Sequence, residues 1–482
     1  MSEKKSREEF KAKLEFMVST IRKQITDGEI PIGEYLPSEN ILTKSFDLSK
    51  NSVRKGLEEL VKEGLIVKKS RIGNLVVSNK PYDQVILRVG YYPSLLTDAK
   101  FQTLVRCFEE TYSHIKVQTI PLPYDHYQKT VYDFFQNDMI DVVSINYNDY
   151  VGFQGNEEMM FEALEKDPKI YSFLEEPFES KENQELVFVK PFVFSPIVLC
   201  YNQEHFMKKN IAFPDSGWKW KQALETANLL LTNNQDSQHC GLYFHPLSMN
   251  RWPIFLLQNG VQFERYENGE LAFSSSKLTE SMNLLRDLFD RQGILQAFLS
   301  DSDRDAEKLF LEERVSMIVA SYFSLNEIKE HSIPYDIAPL PYIKDAKTML
   351  LIIGFSINKH STKKDAAKKF VEFMGLPSTQ EIIRKETLSI PSVKEIAEKT
   401  GGESVFKPSR YHLFREIIPS YSLYTDLGLT GTVLSEVRNE LRIYLSDLMD
   451  DKILHQRIKA ILTKSKSNEK GVSMIENNSS KK

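Results

Sequence analysis

Residues 49–66 read Ser49-Lys50-Asn51-Ser52-Val53-Arg54-Lys55-Gly56-Leu57-Glu58-Glu59-Leu60-Val61-Lys62-Glu63-Gly64-Leu65-Ile66. Ser49 is a helix cap, because its hydroxyl can accept from a backbone N–H of the first turn. Val53, Leu57, Leu60 and Val61 then recur at i, i+4, i+7 and i+8, which is one buried face of a helix. Gly64 is placed to stop it. The other face shows Lys50, Asn51, Arg54 and Lys55 in the first two turns. Such a face can lie in a major groove, with side chains at base edges and N–H dipoles toward phosphate. Upstream, Pro37-Ser38-Glu39 opens a shorter helix that runs to about Phe46. Before it, Phe10, Leu14, Met17, Val18, Ile21 and Ile25 give helical spacing over Arg7–Asp27, ended by Gly28 and the turn residues Pro31 and Gly33. Downstream, the β-prone runs Leu65–Lys68 and Leu75–Val77 flank a tip at Arg71-Ile72-Gly73. A helix, a helix-turn-helix and a hairpin make a winged helix.

The charge distribution agrees. Residues 1–80 hold 16 Lys and Arg against 12 Asp and Glu, a net of +4, while the remainder carries a net of −9. A basic head on an acidic body calls for an anionic partner at the head. Leu36-Pro37-Ser38-Glu39-Asn40, the Ser49–Leu57 run, Glu63-Gly64-Leu65-Ile66 and the Gly73 wing stand in the same register as four sub-motifs of the GntR-type winged-helix regulators, and the segment resembles that family. The resemblance implies binding to double-stranded DNA, at a palindromic operator, by a homodimer. It places the DNA contacts on Ser49, Lys50, Asn51, Ser52, Arg54 and Gly73. Lys50 stands where the family has Arg, and Ile72 where a basic residue is usual at the wing tip. A lysine retains a phosphate contact but is the poorer reader of guanine.

Length and composition bound the rest. A chain of 482 residues exceeds what one core usually serves. Hydrophobic residues at 41% and charged residues at 27% exclude wholesale disorder. Cys107, Cys200 and Cys240 are too few and too scattered for a disulfide framework or a zinc pair, and a reducing compartment fits them. The charged start is not followed by an apolar run, so no signal peptide is expected. The longest uncharged apolar stretches, Pro191–Gln203 and Trp252–Phe263, fall short of a bilayer span. The expected location is the cytoplasm, with no membrane partner and no cofactor.

From Val85 the pattern changes to strands alternating with helices. Val85–Gly90, Ile115–Ile120 and Asp141–Ile145 read as strands around an amphipathic helix over Phe101–Tyr112, which is the text of an α/β domain with a largely parallel sheet. Ligands of such sheets lie beyond the carboxyl ends of the strands. Tyr92 and the loop Asn146–Tyr150 are therefore candidate site residues. Further on, Val187–Lys190, Pro191–Ser195 and Ile197–Tyr201 read as a strand-rich crossing, and Trp218–Leu230, Leu278–Gln292 and Lys364–Met374 as helices. The expected architecture is multidomain α/β. It divides into a winged helix over 1–78, a junction over 79–84, a two-lobed domain over 85–464 and a disordered tail over 465–482.

Several landmarks in this region run in a shared order. They are Phe108-Glu109-Glu110-Thr111-Tyr112, Asp141-Val142-Val143, Lys190-Pro191-Phe192 with Tyr201-Asn202, Trp218-Lys219-Trp220, Phe255-Leu256-Leu257-Gln258-Asn259-Gly260, and Phe310–Met317. In that order the region resembles the extracellular sugar-binding receptors of ABC transporters, of the maltose-binding type with two lobes. The resemblance implies a cleft that closes on a small molecule, a sugar or oligosaccharide, held by stacked rings and hydroxyl-bonding side chains. It places ligand contacts on Asn146, Asp149, Tyr150, Arg251, Trp252 and Tyr322, to which the strand-end argument adds Tyr92. Where those receptors often carry a G-W-G strand this chain has Ile352-Ile353-Gly354.

Other readings attach to some of these residues. Trp218 and Trp220 suit packing better than stacking. His239, Cys240 and His245 fit no zinc spacing. Asp301–Glu312 imitates a calcium loop but has Ala306 where the turn needs Gly, so it reads as an acidic helix start. No nucleophile elbow, zinc-protease or P-loop motif occurs, and the chain is not expected to be an enzyme. Together the two halves make a ligand-responsive one-component transcriptional regulator. The alternative is a regulator whose receptor-like domain no longer binds ligand and serves dimerisation or protein contacts.

Overall fold

The computed structural model describes residues 2–70, 72–81, 84–231, 239–265, 271–290, 302–329 and 333–463. Arg71 and the tail 465–482 lie outside the described residues. The chain forms two compact units, one of residues 1–89, 102–120 and 362–370, the other of 90–101, 121–361 and 371–482.

In the first unit, α1 (Ser2–Thr26), α2 (Glu39–Phe46) and α3 (Lys50–Lys62) precede a hairpin of β1 (Ile66–Lys69) and β2 (Gly73–Val76). Ser49 caps α3, its hydroxyl accepting from Ser52 N at 3.2 Å. Gly64, at φ +74°, turns the chain out of the helix into the wing. The apolar stripes meet in one core that includes Met17, Val18, Ile21 and Ile25 of α1, Leu42 of α2, Val53, Leu57 and Leu60 of α3, and Ile66 and Val76 of the wing. Antiparallel pairing of Ile66 with Val76 and of Lys69 with Gly73 fixes the hairpin register. One segment has no expectation attached to it. Glu34–Leu36, beyond the turn residue Gly33, lies along the wing: Leu36 N donates to Asn74 O and Val76 N to Glu34 O, each at 2.8 Å. It thereby satisfies backbone groups that an edge strand would leave open. The unit also contains β3 (Val85–Tyr91) beside β4 (Ile115–Pro121), and Phe108 and Phe370 meet edge-on at 5.2 Å.

The second unit is built on β5 (Val142–Asn146), β6 (Lys190–Asn202), β7 (Cys240–Tyr243), β8 (Val315–Ser321), β9 (Tyr335–Ala338) and β10 (Thr348–Ile357). The strand order is β5-β10-β6-β8-β7, with β9 also on β6. Of the three pieces read in the crossing, Pro191–Ser195 and Ile197–Tyr201 are one strand of 13 residues, whereas Val187 ends a separate two-residue strand, Leu186–Val187. Pro191–Pro196 of β6 pair with β10, and Ile197–Tyr201 pair with β8. Pro196 cannot donate to a ladder. It stands where the pairing passes from one partner to the other, so the missing donor weakens neither sheet most. The strand buries twelve of its thirteen side chains, which explains its unbroken apolar text. The two lobes share this strand.

The β6–β10 register shifts between Ile353 and Gly354. A Cβ on Gly354 would sit 2.4 Å from the carbonyl oxygen of Lys190, a backbone atom that cannot step aside. Gly354→Ala is expected to cost about 1–3 kcal/mol through overpacking. An unchanged urea midpoint would show that the two strands have slack at this point.

Candidate functional site

On the head, Lys50 and Asn51 project into solvent from the first turn of α3. Arg54 is exposed along its length, but its Nε donates to Glu39 Oε2 of α2 at 2.9 Å, so its guanidinium is aimed by the preceding helix. Ser52 is buried and its hydroxyl lies 2.6 Å from that of Ser49, which spends both hydroxyls on the helix start. Gly73, at φ +143°, lies across the Tyr35 ring at the root of the wing tip. Ile72 beside it is exposed.

In the second unit three predicted residues come together at the end of β5. Asn146 caps the five-residue helix α5 (Tyr147–Val151), accepting from Asp149 N at 2.8 Å. Its amide nitrogen donates to Asp149 Oδ2 at 2.8 Å and to the Tyr92 hydroxyl at 2.9 Å. The Tyr92 hydroxyl donates to Asp149 Oδ2 at 2.5 Å. The Tyr92 ring is stacked between Tyr127 and Tyr124, at 4.2 and 5.7 Å. Burial pushes the Asp149 carboxyl above the usual range, and the bonds from Tyr92 and Asn146 pull it back.

Arg251 and Trp252 form a second group, at the start of α6 (Trp252–Gln258). The Arg251 guanidinium is buried, donates to Val319 O at 3.1 Å and lies 3.7 Å from Asp303 Oδ2. Ser248 Oγ donates to the same carboxylate oxygen at 3.0 Å. Tyr424 belongs with the second group, its hydroxyl donating to Asn250 Oδ1, and it lies within electrostatic reach of Arg251, Asp303 and Asp149. Next to it, Thr425 Oγ1 and the Tyr147 hydroxyl are 2.9 Å apart. Sequence reasoning missed Tyr424, because 174 residues separate it from Asn250 and no motif marks it. Asp303 was read only as the start of a helix. It does precede α7 (Arg304–Leu311), yet its side chain turns back to Ser248 and Arg251.

Among the described residues, three buried polar atoms around this cluster have no hydrogen-bond partner: Asp303 Oδ1, Trp252 Nε1 and Arg438 Nε. Buried polar groups are nearly always bonded, so a cluster of exceptions marks a place where a polar molecule would be satisfied. Two donors and an acceptor of this kind suit a hydroxylated ligand.

Two predicted residues lie elsewhere. The Tyr150 ring packs edge-on against Phe178 at 4.9 Å, inside the lobe. Tyr322 is wholly buried where the lobes join. Its hydroxyl donates to Tyr411 O at 2.8 Å and accepts from Phe414 N at 3.2 Å, while its N–H donates to Ser195 Oγ of β6 at 2.7 Å. Trp218 and Trp220 are packed inside, Trp220 Nε1 donating to Gln258 Oε1 at 2.8 Å. His239 and His205 converge on the hydroxyl of Ser316, at 3.3 and 2.9 Å. Among the described residues, no group of three or more His, Cys, Asp and Glu is arranged to hold a metal ion, and no helix is long and apolar enough to cross a membrane.

Family comparison settles the class of both parts. Residues 92–381 match the bacterial extracellular solute-binding proteins. Residues 15–76 match the bacterial regulatory proteins of the gntR family. The chain belongs to the solute-binding protein family and carries a gntR-type head. Solved structures agree on the solute-binding fold. An ABC substrate-binding protein of Listeria monocytogenes in complex with cycloalternan superposes with a TM-score of 0.68 at 18% identity, covering 80% of this chain and 100% of that one. Maltose-bound MalE3 of T. maritima gives 0.67 at 14%, covering 78% and 99%. Curated relatives match part of the chain. The arabinose metabolism transcriptional repressor of Geobacillus stearothermophilus is 35% identical over 88 residues, and the HTH-type transcriptional regulator GmuR of Bacillus subtilis (strain 168) is 28% identical over 123. These alignments take in 18% and 23% of this chain, and 24% and 52% of the relatives' own lengths. The gntR-type head and the solute-binding fold thus stand on one chain.

The buried hydroxyl of Tyr322 yields a first test of the site. Tyr322→Phe removes it and leaves Tyr411 O and Phe414 N unpaired in the interior, which is expected to lower stability by about 1–3 kcal/mol. A chemical-denaturation midpoint equal to that of the parent chain would show that the hydroxyl does not hold the lobe junction.

Proposed function

We propose that this chain is a one-component transcriptional regulator. Its head, residues 1–78, binds a palindromic operator in double-stranded DNA as part of a homodimer. Its solute-binding domain, residues 85–464, senses a small molecule in the cytoplasm, a sugar or oligosaccharide. The observation that carries the reading is the union of the two families on one chain. The polar cluster of Tyr92, Asn146, Asp149, Asn250, Arg251, Trp252 and Tyr424, with its three unpaired buried atoms, supports a hydroxylated ligand. Closure of the lobes would change how two heads are presented to DNA. The ligand needs only a higher affinity for one arrangement than the other, by a few kcal/mol, to move that balance.

In this reading Lys50, Asn51 and Arg54 meet DNA, Ser49 and Ser52 set the start of the helix that carries them, and Gly73 shapes the wing. Tyr322 and Tyr150 act on the cleft only by holding the lobes that form it. A specific observation favours a second reading, in which the domain serves subunit contacts alone: Trp252, Tyr150 and Tyr322 are all spent on packing, which leaves few rings for stacking.

Thermal stabilisation by a panel of mono- and oligosaccharides separates the two. A ligand present at a hundred times its Kd adds about 2.7 kcal/mol and a clear rise in Tm; a panel without any rise sinks the sugar reading. Arg54→Ala should weaken operator binding by about 1–3 kcal/mol and leave any sugar-induced Tm rise intact. Equal affinity in a salt titration would refute the DNA-facing surface.

A further inference from the structure

Tyr424 and Thr425 are neighbours in the chain, yet their hydroxyls go to different lobes. The Tyr424 hydroxyl donates to Asn250 Oδ1, in the lobe of β7 and β8. Asn250 stands just ahead of α6, where Arg251 Nε donates to Val319 O of β8 at 3.1 Å. The Thr425 hydroxyl lies 2.9 Å from that of Tyr147, in the lobe of β5 and β10. Tyr147 opens α5 directly after β5. Its ring meets Phe178 edge-on at 5.6 Å, and α5 is backed by α4 (Tyr127–Gln136).

The segment that carries these two residues is fastened to the β7–β8 lobe at both ends. Near its start, Phe263 N donates to Leu427 O at 3.0 Å. Gly428, at φ +73°, follows so closely that a Cβ there would stand 2.3 Å from the Phe263 carbonyl oxygen. At the far end of α8 (Gly431–Tyr444), the Tyr444 hydroxyl donates to Asn283 Oδ1 at 2.6 Å, and the Arg286 guanidinium lies over the Tyr444 ring at 4.9 Å. Asn283 and Arg286 belong to the helix Ser275–Asp290, which packs against α6. Between these anchors the start of α8 rests on α5 of the other lobe. Thr430 caps α8, accepting from Val433 N at 3.4 Å, and a Cβ on Gly431 would lie 3.2 Å from Asn148 Oδ1. All of these contacts run from protein to protein, so none of them requires a bound molecule.

We propose that residues 424–444 are a strap, carried by the β7–β8 lobe, that clasps α5 and holds the two lobes together through the hydroxyl pair of Thr425 and Tyr147. The clasped helix is the one whose cap, Asn146, and whose acid, Asp149, belong to the polar cluster. The strap therefore positions these groups relative to Asn250 and Arg251, and it sets the balance of open and closed lobes on which a ligand acts. It rests on the reading that the lobes open and close, and not on which molecule the cleft takes.

The test is a lobe-to-lobe distance measured in the full chain with no ligand added. Spin labels are placed by M159C and L229C, at exposed sites on the two lobes, with C107S removing the partly exposed native thiol. T425V keeps the shape of the side chain and removes its hydroxyl. It should raise the ratio of long to short separations about fivefold, the equivalent of about 1 kcal/mol for one hydrogen bond. Y147F should do the same, and T425V/Y147F should open no further than either single variant, because both changes remove one bond. T425S keeps the hydroxyl and should match the parent. An unchanged distribution in T425V and Y147F overturns the strap. So does a double variant that opens by the product of the two single effects, since the hydroxyls would then act apart. Should one single variant fail to fold, the other carries the test against T425S. With no ligand present, a sugar panel without any rise in Tm leaves this result standing, and an unchanged distance leaves the sugar reading standing.

Discussion

The structure depends on β6 being shared. One strand supplies the middle of both sheets, pairing with β10 over one half and with β8 over the other. Twelve of its thirteen side chains are buried, so neither lobe's pairing with the strand can slip without repacking both of its faces. The relation between the lobes is therefore set at a narrow junction, where β6 changes partner near Pro196. Around it sits a closed set of hydrogen bonds that joins Ser195, Tyr322, Tyr411 and Phe414. A second chain of bonds, Asn326 to Ser389 and Tyr411 to Ser389, braces the same region. Buried networks of this kind are costly when half satisfied, so they favour one arrangement of the parts.

That constraint decides which residues are left over for function. Those bonded at the junction are consumed by it, and Tyr322 is the clearest case. Those on the loops that leave the sheets, Asn146 to Asp149 on one side and Asn250 to Trp252 on the other, are held in place by caps and short bonds. Several of their polar atoms remain unspent. The head repeats the logic on a smaller scale. Ser49 and Ser52 are spent on starting the helix, whereas Lys50, Asn51 and Arg54 face outward from it.

How far the sequence carried the reader follows from the range of the contacts. The head was legible almost residue by residue because its signals are local: Ser49 as cap, Gly64 as stop, and the stripe Val53-Leu57-Leu60. Its one surprise, the strand-like path of Glu34–Leu36, comes from pairing with Asn74 and Val76, some forty residues away. In the body, Asn146 and Asp149 stand out in the sequence because a strand end is a local feature. Tyr150 and Tyr322 were placed in the cleft because an aromatic following a strand gives no sign of which face it will take. Their partners Phe178, Tyr411 and Phe414 are distant in sequence. Tyr424 and Asp303 were passed over for the same reason. Pro191–Ser195 and Ile197–Tyr201 read as two strands because Pro196 reads as a break, and only the change of partner there explains why they are one.

The position of β10 also sets a timetable. It lies between β5 and β6, yet it is residues 348–357 of the chain. On the ribosome both of its neighbours emerge long before it does, and their facing edges stay open until it arrives. The winged helix needs only contacts within its own stretch, and such local structure forms fast. The nascent chain therefore presents a finished winged-helix head while its solute-binding domain is still without β10. Synthesis sets an interval in which the first domain is folded without the second.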